Sequence, residues 1–164
     1  MRDLDDPEGG DAPCWAHLFG VDVPSDATLA TLVRTLADAV VIADARGRIV
    51  FWNAAAERLF GWRAVEALGQ QLDLIVPERL QDRHNAGFRH AMAAGETKYG
   101  EQLLEVPAQH RDGRPLSIAF TVTLLRCETG VAGVAAVIRD DTARWQERRQ
   151  VRAELDALRQ AATS

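Results

Sequence analysis

Three adjacent apolar, β-branched runs near the C-terminal end restrict the fold of this chain more than any other feature of its sequence. They cover residues 103–110, 115–126 and 131–139. The segments between them are short and end in Gly113 and Gly130, as turns between antiparallel strands do. The sequence therefore predicts a three-stranded antiparallel meander, and one face of it must be buried by other elements.

The preceding part of the chain predicts two more strands, after which the spacing of apolar residues changes from that of a strand to that of a helix. Residues 39–43 and 49–53 read as a hairpin with a turn between Asp44 and Gly47. After it, apolar residues recur at helical spacing in short segments, the first of which Gly61 ends. We predict an α+β domain, with a five-stranded antiparallel sheet that carries short helices on one face.

The longest of these predicted helices has a histidine within its apolar stripe. It is delimited by Pro77 and Gly95, and Arg89 and His90 fall on its polar side. At about 100° per residue the other side collects Leu80, His84, Gly87, Phe88, Ala91 and Met92. The pattern predicts that His84 faces the interior. A buried imidazole must be hydrogen-bonded, neutral or bound to a metal.

Composition excludes several classes of function. The 164 residues suffice for one domain with flanking helices, and a net charge of -5 gives no basic surface for nucleic acid. We find neither a signal peptide nor a run of about 18 apolar residues, so we expect a cytoplasmic protein with no membrane partner. Motifs for nucleotide binding, nucleophilic hydrolysis and zinc proteolysis are missing, and we expect no enzymatic activity.

The two ends of the chain differ in character. Residues 1–24 are acidic and contain Gly9 and Gly10, so we expect a loosely ordered segment. The domain of residues 25–141 should begin with a flanking helix capped at Ser25, with Leu29, Leu32, Val33 and Leu36 on its inner face. Residues 142–164 predict a C-terminal helix with a stripe of Trp145, Val151, Leu155, Leu158 and Ala162. This stripe needs a partner, either its own domain or a second copy of the chain.

Four segments together resemble the successive landmarks of a PAS domain. They are residues 43–53, 59–62, 111–113 and 138–142, in the order and spacing of that family. The resemblance spans about residues 36 to 144 and implies the same five-stranded sheet. It also implies a sensor in signal transduction, expected to be a homodimer that passes its signal through the C-terminal helix to a separate output protein.

Within that family, residues 77–96 resemble the haem-binding, FixL-type PAS domains. In those domains the histidine that matches His84 is the proximal ligand, so the resemblance implies haem b held by His84 as the metal ligand, beside Phe88. A neutral imidazole that projects from a helix into an apolar cavity suits haem iron. The implied function is a sensor of a diatomic gas (CO, NO or O2) or of redox state.

The sequence departs from the FixL type on the other side of the implied cofactor. Those domains place an arginine that serves bound oxygen on the strand after the helix, and the corresponding position here is Leu104. Phe120 and Val122 are also apolar. This set favours carbon monoxide or nitric oxide over a polarised dioxygen, unless Gln102 or Tyr99 reaches in.

Two other functions remain open from the sequence. In a cofactor-free PAS dimerisation or interaction module, His84 would be a core residue bonded to a backbone carbonyl. In a flavin-binding redox sensor the cofactor would be FAD, because the segment 51–53 also occurs in flavin-binding PAS domains. A cysteinyl photoadduct is excluded at residues 69–73, which contain no cysteine.

Overall fold

The computed structural model describes residues 25–97, 102–128 and 130–162. The chain divides into two units, residues 1–32 and 33–164. The expectations for residues 1–24 and for Tyr99 lie outside the described part of the chain.

The described elements follow the predicted order, with strands at both ends of a helical middle. In sequence they are α1 (Asp26–Thr35), β1 (Ala39–Asp44), β2 (Ile49–Trp52), α2 (Ala54–Phe60), α3 (Ala64–Ala67), a 3-10 helix (Leu72–Ile75), α4 (Glu78–Ala94), β3 (Leu104–Gln109), β4 (Pro115–Cys127), β5 (Gly130–Asp140) and α5 (Thr142–Ala162). The boundaries differ from the predicted ones by one or two residues, as the fraying of element ends leads one to expect.

All five strands form one antiparallel sheet in the order β2-β1-β5-β4-β3. The hairpin β1–β2 and the meander β3–β4–β5 are therefore joined by the pairing of β1 with β5, so that the first strand of the chain lies beside the last. The predicted fold class, an α+β domain with a five-stranded antiparallel sheet, short helices and helical flanks, is confirmed.

Local hydrogen bonds explain why the chain turns where it does. In the turn between β1 and β2, the Asp44 carboxylate accepts from the N–H groups of Arg46 and Arg48, at 2.9 Å each. Gly47 adopts a φ of 79°, which residues with a β-carbon rarely adopt. The hairpin is therefore encoded by two residues of the turn.

Asn53 connects the hairpin to the helices. Its side-chain oxygen accepts from the N–H groups of Val40 at 3.0 Å and Ala56 at 2.9 Å, the second of which caps α2. Its amide nitrogen donates to the carbonyls of Val33 at 3.2 Å and Asp38 at 3.0 Å. All of the hydrogen-bonding capacity of this buried side chain goes to the fold.

The core lies between α2, α3 and one end of the sheet. Its most enclosed large side chains are Phe60, Ile49 and Val41. The ring of Phe60 packs against Trp52 with centroids 5.3 Å apart. These contacts hold β1 and β2 against the short helices.

The N-terminal helix begins as predicted but is not packed as predicted. The Ser25 hydroxyl accepts from the N–H of Thr28 at 3.2 Å, which confirms the cap. None of the residues of α1 is buried, and Leu29 and Leu32 are exposed. The helical spacing of its apolar residues predicts which side of α1 is apolar, but it does not show whether another element covers that side.

Across the described residues, none of the helices has both the length and the apolar character that crossing a bilayer requires.

Candidate functional site

The inner face of the sheet is well covered at one end and only partly covered at the other. Residues paired across antiparallel strands share a face, so the register gives two rows, Leu104–Phe120–Ile138–Ala39 and Val122–Ala136–Val41–Trp52. On β1, β2 and at Ile138, the residues of these rows are buried. On β3 and β4 the residues are only partly buried. The two rows therefore form an apolar surface that lies partly open on β3 and β4.

The helix α4 is anchored at its start, its middle and its end. Near its start, the Gln81 side chain donates to the carbonyl of Val76 at 3.1 Å, and at its middle Asn85 donates to the Asp73 carboxylate at 3.1 Å. At its end, Gly95 caps the helix with a φ of 68° and its carbonyl accepts from the guanidinium of Arg126 on β4. The helix thus runs from the 3-10 segment to the outer end of the β4–β5 hairpin, and it contacts β5.

The structure corrects the predicted environment of His84. It lies on the protein-facing side of α4 with the other partly buried residues of the stripe, but it is partly and not fully buried, and α4 has no buried residue. The residue after His84, Asn85, ties the middle of the helix to Asp73 of the 3-10 segment. The Nδ1 atom of His84 is 3.4 Å from the Asn85 carboxamide oxygen, and its ring centroid is 6.3 Å from that of Phe88.

The remaining predicted site residues fall into two groups. Leu104 and Phe120 are directly paired across β3 and β4, and Val122 follows on the same face. Phe88 lies against the β1–β2 turn, where a β-carbon at Gly47 would come within 3.7 Å of its ring. Gln102 is exposed. The structure thus brings together Leu104, Phe120 and Val122 on the sheet, and His84 with Phe88 on α4.

The possible metal ligands at this site suit a metal that is already bound in a cofactor, rather than a bare ion. Within the described ranges, no three His, Cys, Asp or Glu side chains converge to hold a bare ion. Haem supplies four nitrogen ligands and needs from the protein an axial base and apolar contacts on both sides. His84 offers the imidazole, and the partly open rows of the sheet offer the apolar contacts. In donor chemistry and apolar character, the residues present therefore fit haem.

The tryptophan and asparagine that also occur in flavin-binding PAS domains have internal partners here. The Trp52 indole donates to the Trp62 carbonyl at 3.0 Å, and Trp52 is buried. Asn53 is fully used by the backbone contacts described above. An isoalloxazine ring needs convergent polar partners, and the polar atoms of this segment are directed into the fold.

A second group of residues, on the outer face of the sheet, connects β3 to the C-terminal helix. Arg148 of α5 donates to both carboxylate oxygens of Glu105, at 2.9 and 3.0 Å, and to the buried Asp141 carboxylate at 2.8 Å. The hydrogen bonds from Arg148 lower the pKa of Glu105 and raise that of Arg148 itself. We call Glu105, Asp141 and Arg148 the outer triad. A bidentate guanidinium contact of this kind fixes orientation as well as charge.

The outer triad was not predicted from the sequence. Two adjacent carboxylates precede α5, and that of Asp140 accepts from the Thr142 N–H at 2.9 Å. Asp141 instead pairs with Arg148. Asp141 precedes the helix and Arg148 lies seven residues later, beyond the three or four residues that join neighbours on a helix. Nothing local indicates that Glu105, 43 residues before Arg148, completes the group.

The family model described as PAS fold matches residues 27–140 of this chain. The chain belongs to the PAS family. PAS domains are sensory modules, and the landmark segments at residues 43–53, 59–62 and 111–113 fall within this match.

Relatives and solved structures agree with this assignment. The chain is 35% identical over 126 residues to an uncharacterised protein of Azorhizobium caulinodans, 40% identical over 58 residues to the sensor protein FixL of Bradyrhizobium diazoefficiens, and 25% identical over 112 residues to the oxygen sensor protein DosP of Escherichia coli. These matches cover 76%, 35% and 68% of this chain, but only 17%, 12% and 14% of those relatives.

Two solved structures show the same fold at low identity. A PAS domain from Colwellia psychrerythraea has a TM-score of 0.63 and 23% identity, with 71% of this chain and 97% of that one covered. An RNA-binding light-oxygen-voltage receptor has a TM-score of 0.67 and 21% identity, with 95% of this chain and 42% of that one covered. Both likenesses concern the fold alone.

Proposed function

We propose that this PAS domain is a haem-based sensor in which His84 is the axial ligand. The observation that carries the proposal is the position of His84 on the partly buried side of α4, while Leu104, Phe120 and Val122 on the sheet are also only partly buried. A bound haem b would supply an iron that takes a diatomic gas or changes its oxidation state. The likeness to FixL and DosP supports this choice.

The contacts within the fold favour haem over the alternatives. FAD would need polar partners, and those of Trp52 and Asn53 are already used. A cofactor-free interaction module would gain stability by closing α4 onto the sheet. Burying apolar surface contributes about 25 cal/mol of folding free energy for each Å² removed from water, and partly exposed side chains do not make this full contribution. The helix instead leaves its apolar stripe only partly covered.

The experiment that tests the proposal is an absorption spectrum of the purified protein incubated with hemin. We expect a Soret band that sharpens and shifts when the protein is reduced with dithionite and again when carbon monoxide is added. A yellow protein with a flavin spectrum, or a protein that leaves the spectrum of free hemin unchanged, would overturn the proposal.

The apolar residues on the sheet predict the ligand preference. Leu104, Phe120 and Val122 have no hydrogen-bond donor, so we expect tight binding of carbon monoxide or nitric oxide and weak binding of dioxygen. Replacing Leu104 with arginine should increase the affinity for dioxygen relative to carbon monoxide at least about tenfold, since a hydrogen bond to a charged donor is worth about 1.5–3 kcal/mol. The ratio of the two dissociation constants, from absorbance titrations, checks this.

A matched control for this prediction lies on the other face of the same sheet. Thr121 is exposed between Phe120 and Val122, so Thr121→Arg adds the same charge away from the apolar rows. It should leave the ratio of dissociation constants unchanged. An equal ratio in Leu104→Arg and wild-type protein would show that Leu104 does not approach the gas.

The strand β3 offers a direct route from this site to the C-terminal helix. Leu104 faces the inner side and the next residue, Glu105, faces the outer side, where it holds Arg148. A displacement of Leu104 by an occupied site would therefore move the carboxylate that orients α5. In this proposal the outer triad transmits the state of the site to the helix, and a separate output protein reads the helix.

Replacing Arg148 with alanine should uncouple α5 from the sheet. The change removes both bonds to Glu105 and leaves the buried Asp141 carboxylate without its cation. We expect amide hydrogen exchange in the first three turns of α5 to rise several-fold, and its response to carbon monoxide to disappear. Arg149→Ala is the control, because that guanidinium lies over Trp145, 5.3 Å from the ring centroid. A normal response in Arg148→Ala would rule out the triad as the connection.

A further inference from the structure

Asn85 is a polar residue in the middle of α4, where its presence needs an explanation. Asparagine is less favourable than alanine inside a helix, because its short side chain competes for backbone hydrogen bonds. This side chain is partly buried and has two side-chain partners. Its nitrogen donates to the Asp73 carboxylate at 3.1 Å, and its oxygen lies 3.4 Å from Nδ1 of His84. Asn85 therefore connects the 3-10 segment to the imidazole.

The Asp73 carboxylate fixes which end of the Asn85 carboxamide faces His84. An ionised carboxylate only accepts hydrogen bonds, so the NH2 group of Asn85 must point towards it and the oxygen must point away. The other carboxylate oxygen of Asp73, Oδ1, is buried and has no hydrogen-bond partner among the described residues. The bond from Asn85 is thus a charge-assisted one, and the reversed amide would place its oxygen against the carboxylate.

An oxygen beside Nδ1 selects one tautomer of His84. In a neutral imidazole, one ring nitrogen carries the proton and the other has a lone pair. The Asn85 oxygen can only accept a hydrogen bond, so it favours the proton on Nδ1. The lone pair is then on Nε2 and is left for a metal.

We propose that Asn85 and Asp73 are positioning residues for the metal ligand, which hold His84 in the Nδ1–H tautomer and leave Nε2 to bind the iron. This inference rests on the proposed function. A hydrogen bond from the second nitrogen of a ligating histidine also raises the electron density that the ring gives to the metal. The Asp73–Asn85 pair therefore favours the oxidised over the reduced iron.

The tautomer of His84 is measurable in the protein without hemin. Nitrogen NMR spectra of isotope-labelled protein, recorded at mildly alkaline pH where imidazole is neutral, distinguish a protonated from an unprotonated ring nitrogen, and the His84→Ala variant identifies the signals. We expect mainly the Nδ1–H form in the wild-type protein. Asn85→Ala should shift the population to Nε2–H, the form that free histidine side chains prefer in water. Asp73→Asn should give a mixture, because a neutral amide no longer fixes the orientation of Asn85.

The protein loaded with hemin gives a second measurement. Asn85→Ala should lower the affinity for hemin about 10- to 100-fold, the usual effect of removing the partner of a metal-bound histidine. It should also make the reduction potential of the iron more positive, since the ring then gives less electron density to the metal. Alanine favours the helix, so this variant should keep α4 folded.

Two controls separate the positioning of His84 from simple anchoring of the helix. Gln81→Ala removes a hydrogen bond from α4 to the Val76 carbonyl but retains Asn85. Asp82→Asn removes a carboxylate from the exposed side of the same helix. Both variants should keep the wild-type tautomer, hemin affinity and reduction potential.

The inference is overturned if wild-type His84 is mainly Nε2–H, or if Asn85→Ala behaves like Gln81→Ala and Asp82→Asn. Its failure is distinguishable from that of the proposed function because the tautomer is read without hemin. A protein that shows the Nδ1–H form, loses it in Asn85→Ala and binds no hemin would confirm that Asn85 fixes the ring and would refute the haem sensor.

Discussion

Replacing His84 with alanine should remove the axial ligand and with it the spectrum of ligated haem. We expect the Soret band of the hemin-loaded protein to broaden and shift towards that of free hemin, and the affinity for hemin to fall at least about 100-fold, since changes one shell further from a metal already cost 10–100-fold. Adding imidazole should restore the ligated spectrum, because the small base can occupy the space that the deleted ring leaves.

His90 provides the control for this experiment. It lies on the same helix two turns later and is exposed, whereas His84 is partly buried. His90→Ala should leave the spectrum and the hemin affinity unchanged. A spectrum that depends on His90, or one that His84→Ala leaves intact, would assign the ligand to another residue and refute the role of His84.

Truncating Phe60 should cause the largest loss of stability among single substitutions in the core. Its side chain is fully buried and packs against Trp52, and its backbone carbonyl accepts from the Arg111 N–H at 2.9 Å. Phe60→Ala should lower the free energy of unfolding by about 3–5 kcal/mol, through lost burial and the cavity that remains. Urea denaturation followed by far-UV circular dichroism measures the change.

A milder variant and an exposed one make this result interpretable. Phe60→Leu keeps most of the volume and should cost less than about 1.5 kcal/mol, so it remains measurable if the alanine variant does not fold. Val65 is 78% exposed, and Val65→Ala should change the free energy of unfolding by less than about 0.5 kcal/mol. Similar losses for Phe60→Ala and Val65→Ala would contradict the position of Phe60 in the core.

The fold could be predicted from sequence because its signals are local. The turn at Asp44 and Gly47 and the glycine at position 95 each act within a few residues, and the structure has both in the predicted place. The resemblance to FixL-type domains put Leu104, Phe120 and Val122 on one side of the implied cofactor, and in the structure Leu104 pairs with Phe120 and Val122 follows on the same face.

The environment of the candidate site could not be predicted in the same way. Helical spacing put His84 on the protein-facing side of α4, but the degree of its burial depends on how closely the whole helix approaches the sheet. The contact of Gly95 with Arg126, 31 residues away, is one of the long-range contacts that place the helix. The outer triad depends likewise on a contact between residues 105 and 148.

By itself, the sequence determined the strands, the helix that carries His84 and the apolar stripe of α5, because periodicity and turn chemistry are properties of neighbouring residues. The tertiary structure alone decided that α4 leaves its stripe partly open, that Trp52 and Asn53 direct their polar atoms into the fold, and that Arg148 joins Glu105 to Asp141. These features depend on distances between segments far apart in the chain, and such distances are fixed only when the packing of all elements is satisfied at once.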